Sequence, residues 1–218
     1  MSEWLSWQVV DSAFPTGSFA HSWGLEAAWQ HGEIPDIEQL RNFLEAAIVQ
    51  TGYSVVPLVN DAFTSPETLE ALDALTNAFL TNPITNRASR IQGRTLVATA
   101  ERIWPSESLR ALKARADHTC AHLAPLFGVT FAVLGLPLRT AQRISLYTTS
   151  RGVLSAAVRL GIIGSYEAQR MQSACEPTLD RVADRCRDLT VDDLAQTAPL
   201  MDLLQSTHDR LYSRLFQS

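Results

Sequence analysis

The chain has 218 residues, 46% hydrophobic and 19% charged, which is an ordinary globular composition with enough material for a sizeable core. A disordered chain is excluded. The net charge of −5 argues against nucleic acid as the main ligand, because phosphate neutralisation needs a basic face. Lys113 is the single lysine; every other basic residue is arginine, the side chain that makes bidentate contacts to carboxylates and is favoured at interfaces. Base composition of the genome explains the same bias. Cys120, Cys175 and Cys186 form no CxxC pair, and the start "MSEWLSWQVVD" has neither a basic cluster nor a long apolar core. A reducing, cytoplasmic setting is therefore expected. The apolar run "APLFGVTFAVLGLPL", Ala124–Leu138, falls short of the ~20 residues a membrane span needs and is interrupted by Pro and Gly, so it reads as buried core.

In chain order the periodicity is helical almost throughout. A short helix covers Glu3–Ser12, "PTGS" breaks it, and Ser18 caps a second helix to about His31. Asp36 with Gln39 resembles a capping box for a helix to about Gln50. Val55–Phe63 follows. Ser65-Pro66-Glu67 opens a helix to about Leu80, with proline at its first position, and Asn82-Pro83 repeats the device for a long segment to Trp104. Ser106–His122, Arg139–Leu160 and Ser165–Asp188 are expected next. Thr190 caps a short helix, and Pro199–Phe216 closes the chain. "GVTFAVLG" is the one stretch readable as a strand, and one strand makes no sheet. The expectation is an all-α fold, a single domain of about ten helices over residues 1–218, with no internal repeat and no linker rich in Gly and Ser.

The N-terminal stretch "DSAFPTGSFAHSWGLE" looks at first like a phosphate loop. It has no lysine and lacks the GxxxxGK[ST] pattern, so nucleotide binding by that route is excluded. A helix N-terminus at Ser18 would still attract an anion. The plainer reading is a corner in which Pro15 fixes φ, Gly17 permits the turn and Ser18 caps. His21, Leu25 and Ala28 would share one helix face, making His21 either a hydrogen-bonded core residue or a functional one. His118 and His122, four apart in "HTCAH", would project together on a helix and form either a structural pair or two ligands of a transition metal. No third ligand is evident.

Arg87, Arg90 and Arg94 line one helical face in "NRASRIQGR", either solvated or meeting an acidic partner. Gly93 belongs with the neighbouring apolar face. It costs about 1 kcal/mol against alanine there, a cost that makes sense if another backbone approaches closely. "TSRGVLSAAVRLG" carries Gly152, Ser155, Ala156 and Ala157, small enough for a close helix crossing within the chain or between subunits. Arg151 and Arg159 beside them are candidates for pairing with carboxylates. No GxSxG, Cys–His pair or carboxylate cluster emerges, so no catalytic constellation and no cofactor are indicated.

Taken in order, "DSAFPTGSFAHSWGLE", "NRASRIQGRTLV" and "HLAPLFGVTFAVLGLPL…YTTSRGVLSAAVRLGIIG" resemble three signature segments of the urease accessory protein F family, UreF. The resemblance covers about Glu3 to Cys186. It implies an all-α, non-enzymatic maturation factor that dimerises. Such a factor bridges a D- or H-type accessory protein to a nickel-carrying G-type GTPase, serves nickel delivery to apo-urease, and modulates GTP hydrolysis. By position, Pro15, Gly17, His21, Ser22, Gly24, Leu25 and Glu26 match the first segment. Arg87, Ser89, Gln92 and Gly93 match the second, and Arg151, Gly152, Ala156 and Arg159 the third. On this reading His21, Ser22, Glu26, Arg87, Arg90, Gln92, Arg94, Arg151 and Arg159 face partners. Pro15, Gly17, Gly24, Gly93 and Gly152 shape turns and crossings. Family members use C-terminal tails to reach the D or H partner, and this chain closes shortly after Phe216. The residues alone also leave room for a helical enzyme built on His21 and Glu26, and for a nickel metallochaperone using His118 and His122.

Overall fold

The computed structural model describes residues 3–16 and 20–217. Among these residues there are twelve α-helices and no strand. The all-α expectation holds, with more breaks than the periodicity suggested. Helix α1 spans Glu3–Val10 and α2 Leu25–Gln30. Helix α3 spans Ile37–Ser54, with the Asp36 carboxylate accepting from the Gln39 amide at 2.8 Å, the N-cap half of the expected capping box. Helix α4 (Val56–Thr64) carries Pro57 in its first turn. A 3-10 turn at Pro66–Thr68 leads into α5, Leu69–Phe79. Asn82 caps α6, Pro83–Ile103, by accepting from the Ile84 amide at 2.9 Å.

Helix α7 covers Glu107–Asp117, capped by Ser106, and α8 covers Leu123–Val133. The long α9 runs Leu138–Arg159. The helix expected over Ser165–Asp188 is two, α10 at Ser165–Ala174 and α11 at Glu176–Arg185. Pro177 has no N–H to continue the ladder, so it restarts the chain in a new first turn. Thr190 and Asp193 form a reciprocal capping box around a 3-10 turn at Val191–Asp193. The closing helix is also shorter than expected. Helix α12 is only Pro199–Ser206, followed by a 3-10 turn at His208–Arg210 and then non-helical chain to residue 217.

Three buried clusters lie between these helices. One joins α2, α3, α9, α10 and α11, and includes Leu25, Leu44, Ile48, Val153 and Phe216. A second joins α5, α6, α7 and α8 through Leu69, Val97, Leu109 and Leu126. The third joins α1, α4, α8 and the start of α9 through Val9, Leu58, Phe131 and Ile144. Helices α4 and α8 make the most extensive pair. Helix α8 is buried on nearly all sides, which explains the continuous apolar run that periodicity alone could not distinguish from a strand. Each fully buried leucine contributes about 1.5–3 kcal/mol relative to exposure. No helix is long and apolar enough to cross a membrane among the described residues.

Candidate functional site

The N-terminal signature is organised around one carboxylate. Gly24 precedes α2 with φ of +83°, next to Trp23 at +59°, and this pair of left-handed residues turns the chain into the helix. Glu26 in the first turn of α2 is 1% exposed. Its Oε1 accepts from the Leu215 amide at 2.6 Å. Its Oε2 accepts from the Phe216 amide at 3.2 Å and lies 2.9 Å from Nε2 of the fully buried His208. Residues 207–217 are thereby drawn across the signature as a strap. The Gln217 amide donates to the Ala20 carbonyl, Gln30 Nε2 donates to the Ser213 carbonyl, and His31 Nε2 meets Thr207 Oγ1. The Arg159 guanidinium lies 4.2 Å from the centroid of the Phe216 ring.

His21, Ser22 and Glu26 are buried, and so is Gln92 on α6. In this conformation these side chains face the interior. His21 also precedes α2 rather than sharing a helix face with Leu25 and Ala28, because the helix begins only after the Trp23–Gly24 turn. Burial first, and His208 nearby second, push its pKa down to about 4, so the ring is neutral at pH 7. Pro15 stands in the turn after α1, where its carbonyl accepts from Thr99 Oγ1 of α6 at 2.9 Å. Gly17 and the Ser18 cap lie outside the described residues.

Helix α6 carries the second signature. A Cβ on Gly93 would stand 2.1 Å from the carbonyl oxygen of Ala121 and 2.9 Å from Leu123 N, so α6 passes directly against the backbone of the α7–α8 turn. That turn holds Ala121 at φ of +65°. Asp73 of α5, 2% exposed, braces it by accepting from the Cys120 and His122 amides, each at 2.7 Å. Ser89 Oγ accepts from the Leu123 amide, and Arg90 Nε donates to the Cys120 carbonyl. Asp73 escaped the sequence reading. Its signal was its position beside Leu69, Leu72 and Thr76 on the apolar face of α5.

Arg87 and Arg94 are exposed and Arg90 is half-buried. With exposed Ile91 they line a groove together with Leu80 and Pro83. Arg87 makes a bidentate pair with Asp209 of the strap, at 3.0 and 3.1 Å, and Arg214 joins the same carboxylate at 3.0 Å. The Asp209 pKa is lowered, first by its hydrogen bond from Arg87. Asp209 and His208 went unnoticed in the sequence because their partners Arg87 and Glu26 lie 122 and 182 positions away, and Arg214 joins that same Asp209.

The third signature divides by face. Ala156 and Ala157 are in the core, while Gly152 meets the Trp23 indole, whose Nε1 would lie 2.3 Å from an added Cβ. The close crossing is thus internal to the chain. Ser155 and Arg159 are exposed beside half-buried Arg151, which donates to the Val10 carbonyl. These residues border a surface groove between α1, α9 and α10, with exposed Trp7 and Tyr147 on its walls.

His118 and His122 do not project together. Helix α7 ends at Asp117, the left-handed Ala121 reverses the chain, and His122 stands at the start of α8. His118 is exposed, whereas His122 is fully buried, with Nδ1 3.2 Å from Ser89 Oγ and Nε2 3.3 Å from Asn77 Oδ1. Burial lowers the His122 pKa. Among the described residues no group of three or more His, Cys, Asp or Glu side chains converges as a metal site. A cavity of about 170 Å³ reaches His21, Gln50, Gln92, Thr149 and Asp202. Glu26 does not line it, so the acid–base pair considered from sequence is not assembled there.

The UreF family model matches residues 34–176, most of the chain. The chain belongs to the UreF family. It is 37% identical over 221 residues to urease accessory protein F of Oryza sativa subsp. indica, covering 99% of this chain and 85% of that protein. It is 37% identical over 222 residues to urease accessory protein F of Arabidopsis thaliana, covering 99% and 92%. The bacterial relative from Granulibacter bethesdensis, urease accessory protein UreF, is 29% identical over 221 residues, covering 98% and 92%. The family match contains the α6 and α9 signatures, while the alignments with relatives extend over the N-terminal signature and the strap as well.

Proposed function

We propose that the chain is a non-enzymatic urease maturation factor, working as a cytoplasmic homodimeric scaffold with other urease accessory proteins. In this reading it bridges a D- or H-type accessory protein and the nickel-carrying G-type GTPase for nickel insertion into apo-urease, and modulates GTP hydrolysis. The observation that carries the proposal is the near full-length alignment with proteins named urease accessory protein F. The distribution of side chains supports it. Arg87, Arg90 and Arg94 around exposed Ile91 give α6 the basic rim and apolar centre suited to an acidic partner surface. Arg151 and Arg159, with Trp7 and Tyr147, offer a second face of arginine and aromatic character. Exposed Leu200 and Leu203 on α12, with Tyr212 and Leu215 on the strap, offer an apolar third.

Of the signature residues, these exposed or half-buried arginines make the contacts, whereas Glu26, Ser22, His21 and Gln92 hold the surfaces in place from inside. An arginine acting in trans on the partner's nucleotide falls within the same reading. The test is complementation. Cells lacking their own F-type protein receive this chain, and nickel per urease active site is measured. Restored nickel content supports the proposal; metal-free urease in cells that contain the folded chain and compatible partners contradicts it.

A further inference from the structure

We infer that the strap 207–217 is a proton-operated latch, seated on the buried cluster of Glu26, His208 and His21 and released when His21 takes up a proton. The buried part of the strap centres on one carboxylate, beside outer contacts from Ala20, Gln30, His31, Arg87 and Arg159. One carboxylate receives both the Leu215 and Phe216 amides and the His208 ring. His208 is fully buried, and its Nδ1 has no hydrogen-bond partner among the described residues. Phe216 and Gln217 border the same hollow as His21, so the strap itself contributes to shutting that ring away from water. Lifting the strap exposes His21 and His208 together.

The direction follows from linkage. The docked chain keeps His21 neutral down to about pH 4, by burial first and by His208 second, whereas a solvated imidazole titrates near 6.5. The open state therefore binds a proton that the docked state rejects between these values, and opening is favoured as pH falls through 6.5. Other charged groups surround the ring. The strap contributes Arg214, α6 contributes Arg87, and α9 contributes Arg151 and Arg159. Asp11 follows α1, Asp202 lies on α12, and Glu26 binds His208. The four arginines stay charged throughout, while burial and His208 set the His21 shift. Asp202, whose pKa burial raises, works in the opposite sense, because a raised pKa in the docked state favours docking as pH falls.

The experiment is amide hydrogen exchange on the full chain, with protection factors corrected for the intrinsic rate at each pH. For one group moving from about 4 to 6.5, the strap amides at 215–217 are expected to lose about tenfold protection between pH 7.5 and 5.5. Amides of α3 that exchange by local fluctuation, without exposing His21, should stay level. In His21→Gln, shown to be folded by circular dichroism, the pH dependence should vanish. Strap protection that is the same at both pH values, or that falls equally in His21→Gln, would overturn the latch. A second readout needs no variant: the His21 ring proton signal of the wild-type chain should titrate below pH 5, and titration near 6.5 would overturn the proposal.

Discussion

At the scale of single residues, Gly93 and Asp73 decide how α6 meets the α7–α8 turn. Alanine is the better helix former by about 1 kcal/mol. At position 93, however, its methyl would strike the Ala121 carbonyl at 2.1 Å, a backbone atom without a rotamer to escape into. Gly93→Ala is expected to lower stability by about 1–2 kcal/mol net, as overpacking outweighs propensity. A stabilised variant in urea denaturation would refute the close approach. Asp73→Ala strips two buried amides of a charged acceptor. The expected loss is about 3 kcal/mol or more, read as a shift in urea midpoint at constant slope; a loss under about 1 kcal/mol would mean that water or a rearranged turn replaces the carboxylate. The close approach at Gly93 was legible because a glycine in an apolar helical face has few other reasons to be there. Asp73 was not, since its partners are backbone amides of a turn 47 and 49 positions downstream and no side-chain pattern marks them.

At the scale of elements, long helices with side-chain caps were readable, and tertiary breaks were not. The cap at Asp36 and the Asn82-Pro83 start of α6 fall where sequence placed them. Residues 20–24 and 207–217 carry helix-compatible residues, yet they leave the helix to meet each other around Glu26, and a preference worth tenths of a kcal/mol per residue yields to such contacts. The same long-range contact turns the expected partner residue Glu26 into an internal clamp. It also makes charge reversal of Arg87 ambiguous, because Asp209 of the strap would be repelled. Arg94→Glu, on the exposed part of α6, is the cleaner probe. Affinity for the acidic partner is expected to fall at least fivefold with helicity unchanged, as titration calorimetry and circular dichroism would register. Unaltered affinity would remove α6 from the contact surface.

At the scale of the whole molecule, stability should depend on pH through two separate windows. His21 binds a proton in the unfolded chain near 6.5 but only at about 4 when folded. Its contribution is therefore full above pH 6.5 and is lost as pH falls toward 4, at up to about 1.4 kcal/mol per pH unit. Glu70, held down to about 2 by its hydrogen bond from Arg115, contributes above its ordinary 4.5 and loses that contribution as pH falls toward 2, and its exposed position makes its share small. A melting temperature that is flat between pH 7 and 5 would contradict the His21 window. The fold class was open to reading at this scale because helical periodicity with proline and polar caps runs along the whole chain. The surfaces were only partly so: sequence supplied the arginines, but burial decided which signature residues remain outside. The central claim is that these outside residues join other accessory proteins. The most direct measurement is the mass, by light scattering, of whatever co-purifies when the chain is co-expressed with matching D- or H-type and G-type proteins. A complex containing two copies of this chain with both partners is expected; a clean monomer with neither partner bound would contradict that role.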